Sequence, residues 1–162
     1  MFKLSHTVMI YISGLIWLVV GLMLLRIGVN LFAPLFDSPG ESTPLLNLLS
    51  PLFGERNALI GLIGAAALIG YVKGRFILGK SARKGVERIL TYSEPMPITS
   101  LYSPKYFILL GAMIALGVSI KYMGIPNDIR GFIDVAIGIA LLTGAQVYFR
   151  SGRSLIYDTK NL

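Results

Sequence analysis

The chain has 162 residues, of which 54% are hydrophobic and only 14% charged, against about 25% charged in an ordinary soluble domain. A soluble fold of this length cannot bury that much apolar surface, whereas a bilayer accepts it. With no cysteine and a single histidine, His6, disulfides, thiolate zinc sites, iron–sulfur clusters, cysteine nucleophiles and the usual imidazole metal site are excluded, and the formal net charge of +7 points either to nucleic acid or to an acidic membrane surface.

The first predicted element is the apolar run over 8–32, VMIYISGLIWLVVGLMLLRIGVNLF. It exceeds the roughly 20 residues that cross a bilayer as a helix. Only Lys3 precedes it as a basic residue and no small-x-small cleavage site follows, so it reads as a retained helix and not a secretory signal. A loop over 33–56 comes next, with Pro34, Pro39, Gly40, Pro44 and Pro51. Within it TPLLNLLSPLFG is apolar enough to lie at the membrane surface as a short helix starting near Thr43.

The second predicted helix covers 57–78. The loop over 80–105 follows, and its basic start, GKSARKGVERIL, can carry the second helix onward before SEPMPITSLYSP, where Pro95, Pro97 and Pro104 forbid regular helix. The third predicted helix covers 106–124, the turn IPND is tight, and the fourth covers 131–149. In lipid these runs are helices, because a lone strand would leave its backbone polar groups unpaired. The expected fold is an all-α integral membrane domain over 1–162 with four transmembrane helices.

Orientation follows from lysine and arginine in the short loops. One side carries Lys3, Lys73, Arg75, Lys80, Arg83, Lys84, Arg88, Lys105, Arg150, Arg153 and Lys160 against Glu87, Glu94 and Asp158, a net +8. The other carries Arg26, Arg56, Lys121 and Arg130 against Asp37, Glu41, Glu55, Asp128 and Asp134, a net −1. The basic side is expected in the cytoplasm, so both termini are inside and the 33–56 loop is outside. The charge is then a topology signal and calls for no nucleic acid.

The second and fourth helices align at one constant offset. Arg56, Ile63, Gly64, Ala66, Leu68 and Gly70 match Arg130, Ile137, Gly138, Ala140, Leu142 and Gly144. The first and third align more weakly, through Gly21 with Gly117 and Gly28 with Gly124. The chain is therefore read as two tandem hairpins pointing the same way, a parallel repeat.

Helices in lipid associate through close packing of small residues. Ala136, Ala140 and Gly144 recur every fourth residue on the fourth helix, and Ala66, Gly70 and Gly74 on the second, with Gly61, Gly64 and Ala65 nearby. Gly14, Gly21 and Gly28 recur every seventh on the first, and Gly111 and Ala115 lie four apart on the third. Such stripes either close the bundle within one chain or join copies of it.

Ionisable groups within a membrane segment carry a functional hypothesis. Arg26 stands roughly 27 Å along the first helix from Val8 and Lys121 roughly 22 Å along the third from Tyr106, so both reach the outer interface, and Lys73 and Arg75 reach inward. Asp134 is too short to do so. It either pairs with Arg130, Lys121 or Arg26 to tie helix ends together, or with them lines an outer polar pocket that takes an ion or a lipid headgroup. Lys80, Arg83, Lys84 and Arg88 read either as ordinary positive-inside charge or as a grip on anionic lipid. Tyr102, Tyr106, Tyr148, Phe149 and Tyr157 read as interfacial anchors.

Catalytic sets are missing: no Cys, no second His and no carboxylate pair inside a helix. GRFILGKS contains a Gly-Lys-Ser but follows a membrane helix and not a strand, so no P-loop is read in it. Small multidrug exporters and fluoride channels share this length, but no motif of either occurs, and the glutamate expected in the middle of an exporter's first helix is absent. The expected function is that of a non-catalytic multi-pass protein of the bacterial inner membrane, an accessory, assembly or lipid-interacting subunit without cofactor or metal. Its expected partners are membrane lipids, a second copy or another membrane protein. The alternative is a small homo-oligomeric transporter or channel.

Overall fold

The structure is a computed structural model that describes residues 3–37, 43–92, 96–97 and 122–160. Except for its last three positions, the predicted helix over 106–124 lies outside the described residues, as does Lys121. The described chain is predominantly helical. Helix α1 spans His6–Phe32 and runs into a short 3-10 turn, Ala33–Phe36. Helix α2 spans Pro44–Phe53 and α3 spans Glu55–Lys73. A π turn, Gly74–Leu78, joins α3 to α4, Gly79–Thr91. The long helix α5 spans Asn127–Lys160. Two-residue strands β1 (Lys3–Leu4) and β2 (Met96–Pro97) pair antiparallel. Three stretches, His6–Phe36, Glu55–Thr91 and Asn127–Ile156, are long and apolar enough to cross a membrane.

Local chemistry explains the boundaries. Helix α2 begins as expected at Thr43–Pro44, with proline in the first turn, where its missing N–H costs nothing. It stops at Gly54, whose φ of +78° suits glycine and few other residues. Gly54 alone separates α2 from α3, so the chain turns sharply there. Helix α5 continues well past Phe149, the predicted end, because hydropathy marks where a helix leaves an apolar medium and not where its hydrogen bonding stops. At about 1.5 Å per residue its 34 residues reach roughly 51 Å, well beyond a hydrocarbon core of about 30 Å.

Helix α5 is the axis of the bundle. Against α1 it is antiparallel: Gly14 stands at Tyr148, Gly21 at Gly138 and Leu141, and Gly28 at Gly131 and Val135. Against α3 it is parallel: Gly70 stands at Ala136, Gly74 at Ala140 and Thr143, and Leu78 at Gly144. A Cβ added to Gly138 would lie 2.8 Å from the Leu25 nitrogen and 2.9 Å from the Gly21 oxygen, so the helix backbones touch. Gly144 makes room for Trp17, which meets Tyr148 edge-on with ring centroids 5.5 Å apart.

Two apolar clusters fill the interior. One, near the termini, joins Met9, Ile10 and Trp17 of α1 to Ala82, Val86 and Ile89 of α4 and to Leu141, Ala145 and Tyr148 of α5. The other, at the opposite end, joins Phe32, Leu35 and Leu46 to Ala58, Leu59, Leu62, Ala66 and Val135. Tyr148, expected as an interfacial anchor, is instead buried in the first cluster.

The glycine contacts set a test. Gly138→Ala forces two backbones apart and is expected to lower unfolding stability by about 1–3 kcal/mol. Gly64→Ala, at a position with open space around it, is expected to be neutral or slightly stabilising. Denaturant unfolding of both variants in detergent micelles measures the contrast.

Candidate functional site

At the end of the bundle away from the termini, the charge that organises the structure is Asp128 and not Asp134. Asp128 is fully buried. Its Oδ2 accepts from the amides of Leu45 (2.7 Å) and Leu46 (3.2 Å), and its Oδ1 accepts from the amide of Ile129 (2.8 Å). The first turn of α2 leaves these amides without intrahelical partners, and Thr43 makes no capping bond to them. Asp128 therefore caps α2 from the start of α5. Two helix N-termini, each with a partial positive charge, converge on one carboxylate. Sequence reasoning placed Asp128 among the loop charges only. The one hint was a Pro-Asn-Asp helix start, and nothing local could show that its acceptor serves a helix 82 and 83 residues away in sequence.

Asp134 is mostly buried on α5 and lies near Arg130, with Nε and Oδ2 3.9 Å apart, a pair within one helix. Arg26 projects from an exposed position on α1 and forms no ion pair among the described residues. Lys121 lies outside the described residues. Of the four residues of the expected outer pocket, the structure thus brings together Arg130 and Asp134.

The small-residue stripes divide. Ala66, Gly70, Ala140 and Gly144 are buried in helix contacts, and Ala136 backs Gly70. Gly64 is exposed with nothing within 4 Å of an added Cβ, unlike its aligned counterpart Gly138.

At the end that holds the termini, α4 is amphipathic. Gly79, Ala82, Val86 and Ile89 face inward, while Lys80, Arg83, Lys84 and Arg88 are all exposed with Glu87 among them. Its far end is tied down: His6 Nε2 donates to the carbonyl of Tyr92 at 2.8 Å, and β1 pairs with β2 beside it. The run Gly74–Ser81 has the spacing of a phosphate-binding loop, but it is helical throughout. Its amides are spent inside the helix, with the Gly79 amide bonded to the Gly74 carbonyl, so none can cradle a phosphate as such a loop does.

Two recesses carry cations. A cleft of about 200 Å³ is lined by Arg75, Phe76, Gly79, Lys80 and Arg83. A wider one of about 580 Å³ lies on α5 by Gln146, Phe149, Arg150, Arg153 and Ser154. Among the described residues no three His, Asp or Glu side chains come together as a metal site. What the geometry defines is a helical bundle with membrane-length helices and a cationic face at one end. The chain matches no protein-family model, no curated protein and no solved structure.

The two acids predict different outcomes. Asp128→Ala strands the buried amides of Leu45 and Leu46 and is expected to cost about 1–3 kcal/mol, with faster hydrogen exchange at both amides. Asp134→Asn removes one 3.9 Å contact to Arg130 and strands no backbone amide, so it is expected to cost less than Asp128→Ala.

Proposed function

We propose that the chain is a non-catalytic multi-pass membrane protein, an accessory or assembly subunit that holds anionic lipid against the cationic face of α4. The observation that carries this reading is the continuity of α3 and α4. Over Glu55–Thr91 the helix is unbroken, and its exposed surface changes from apolar (Ile60, Leu68, Val72) to cationic (Lys80, Arg83, Lys84, Arg88). A helix that leaves the hydrocarbon at this point delivers its cations to the headgroup layer, where each Lys or Arg near an anionic surface gains about 1 kcal/mol.

The reading includes four crossings, as two tandem hairpins with both termini in the cytoplasm of a bacterial cell. Helix directions support it. Helix α4 ends beside His6 and α5 begins beside α2, at the opposite end of the bundle. The parallel course of α3 and α5 and the antiparallel course of α1 agree with first, second and fourth crossings. The apolar packing among the described residues supports a structural or lipid-holding subunit.

The alternative, a small homo-oligomeric transporter or channel, draws on the exposed small residues Gly61, Gly64 and Ala65 of α3, which leave a second copy room to approach. Native mass spectrometry of the mildly solubilised protein separates the two. A monomer or dimer that retains anionic lipid supports the proposal, and a closed ring without it supports the alternative. Replacing Lys80, Arg83, Lys84 and Arg88 together by Gln is expected to weaken retention of anionic lipid roughly a hundredfold, less than the unscreened sum because salt screens exposed charge.

A further inference from the structure

The four exposed cations of α4 are not equivalent, and the π turn is what distinguishes them. The buried face of α3 advances in steps of four: Leu62, Ala66, Gly70, Gly74. Beyond it Leu78 packs against Gly144 and Gly79 beside it is buried, so two successive residues face inward where the π turn lies. A π turn closes i to i+5 hydrogen bonds and so contains an extra residue. That residue lets α4 keep its own apolar side inward, and on the outer surface it gathers Arg75, from the turn itself, with Lys80 and Arg83 around one cleft of about 200 Å³. Lys84 and Arg88 do not line it.

From this geometry we infer a phosphate site: the cleft of Arg75, Lys80 and Arg83 takes the phosphate of an anionic phospholipid. This rests on the lipid-holding reading above and assigns its place and chemistry. Three cations and no carboxylate line the cleft, a composition that selects an anion. Arg75 is already oriented, its Nη1 donating to the Tyr71 hydroxyl at 3.1 Å, and its remaining N–H groups stay available to phosphate oxygens. Two arginines supply the forked donor geometry that suits phosphate. A cleft of about 200 Å³ has room for a phosphate group, and the acyl chains of its lipid need not enter it. Those have their own path, because Phe76, which lines the cleft, is 61% exposed, and Val72 and Leu68 continue the exposed apolar surface up α3. A free phosphate would need the cations but not this apolar continuation, so the amphipathic ligand fits better.

The test titrates the full-length protein in phosphatidylcholine nanodiscs containing increasing dioleoylphosphatidylglycerol, with bound lipid counted by native mass spectrometry and inorganic phosphate as the competing probe. One retained phosphatidylglycerol is expected in the wild type. Arg75→Gln with Arg83→Gln should weaken it at least roughly tenfold, and Lys84→Gln with Arg88→Gln by less than about threefold. Arg75→Lys with Arg83→Lys, which keeps the charge and loses the forked donors, should fall between the two Gln pairs, and an unchanged melting temperature in every variant shows that loss of binding is not loss of fold. Equal losses in the two Gln pairs would overturn the cleft while leaving lipid holding by the whole face of α4 intact. No preference for phosphatidylglycerol in the wild type would instead overturn the lipid-holding reading itself. Full displacement by millimolar inorganic phosphate would overturn the phospholipid in favour of free phosphate.

Discussion

The structure depends on how closely α1 and α3 approach α5. In a hydrocarbon medium no hydrophobic driving force separates helix from surroundings, so the attraction comes from van der Waals contact and grows as backbones near one another. Gly21 and Gly28 on one side of α5, and Gly70 and Gly74 on the other, allow contact at backbone distance. Larger side chains at these positions would hold the helices apart and remove most of that attraction. Glycine is a poor residue for a helix interior in water, by about 1 kcal/mol against alanine. Its repeated use along α1 and α3 marks where proximity is worth more than propensity.

The same register accounts for the π turn. Contacts every fourth residue drift by about 40° per step around a helix of 3.6 residues per turn. Helix α3 follows α5 in this way from Leu62 to Gly74. Past Gly74 the inward surface widens, with Leu78 against Gly144 and Gly79 buried beside it. The extra residue of the turn resets the phase, and from Gly79 the inward residues step by three and four, through Ala82, Val86 and Ile89. A local irregularity thus reconciles two straight segments of different periodicity. Its consequence at the surface is that Arg75 is placed with Lys80 and Arg83.

Much of this was legible in the sequence. Apolar run length located α1, α3 and most of α5, Thr43–Pro44 announced α2, and the basic run after Leu78 was open to helical continuation. What was not legible has definite causes. The alignment of Gly64 with Gly138 compares positions in a helix but not the faces they present: Gly138 meets α1, whereas Gly64 meets nothing among the described residues. Asp134 drew attention because depth can be counted along a helix. Asp128 did not, because its partners are the amides of a helix distant in sequence, and backbone donors carry no residue signature. The π turn could not be foreseen from GRFILGKS, since the residues it packs against, Ala140 and Thr143, lie on a helix distant in sequence.

The two ends of the bundle are closed by different means, and the difference bears on the proposed lipid-holding face. At one end Asp128 satisfies α2 in a fully buried setting, with its oxygens held by three amides and shut off from solvent. At the other end His6 and the β1–β2 pair fix only the last turn of α4. The outward side of α4 keeps its cations unpaired with Glu87 and projecting from a helix that is held at its middle, by Tyr148 of α5 at Gly85, and at its end, by His6 at Tyr92. Cations on a rigid helix lose less side-chain and backbone freedom on meeting an anion than the same residues on a mobile loop. The lipid-holding role proposed for this face draws on that preorganisation and not on the net charge of +7 as such.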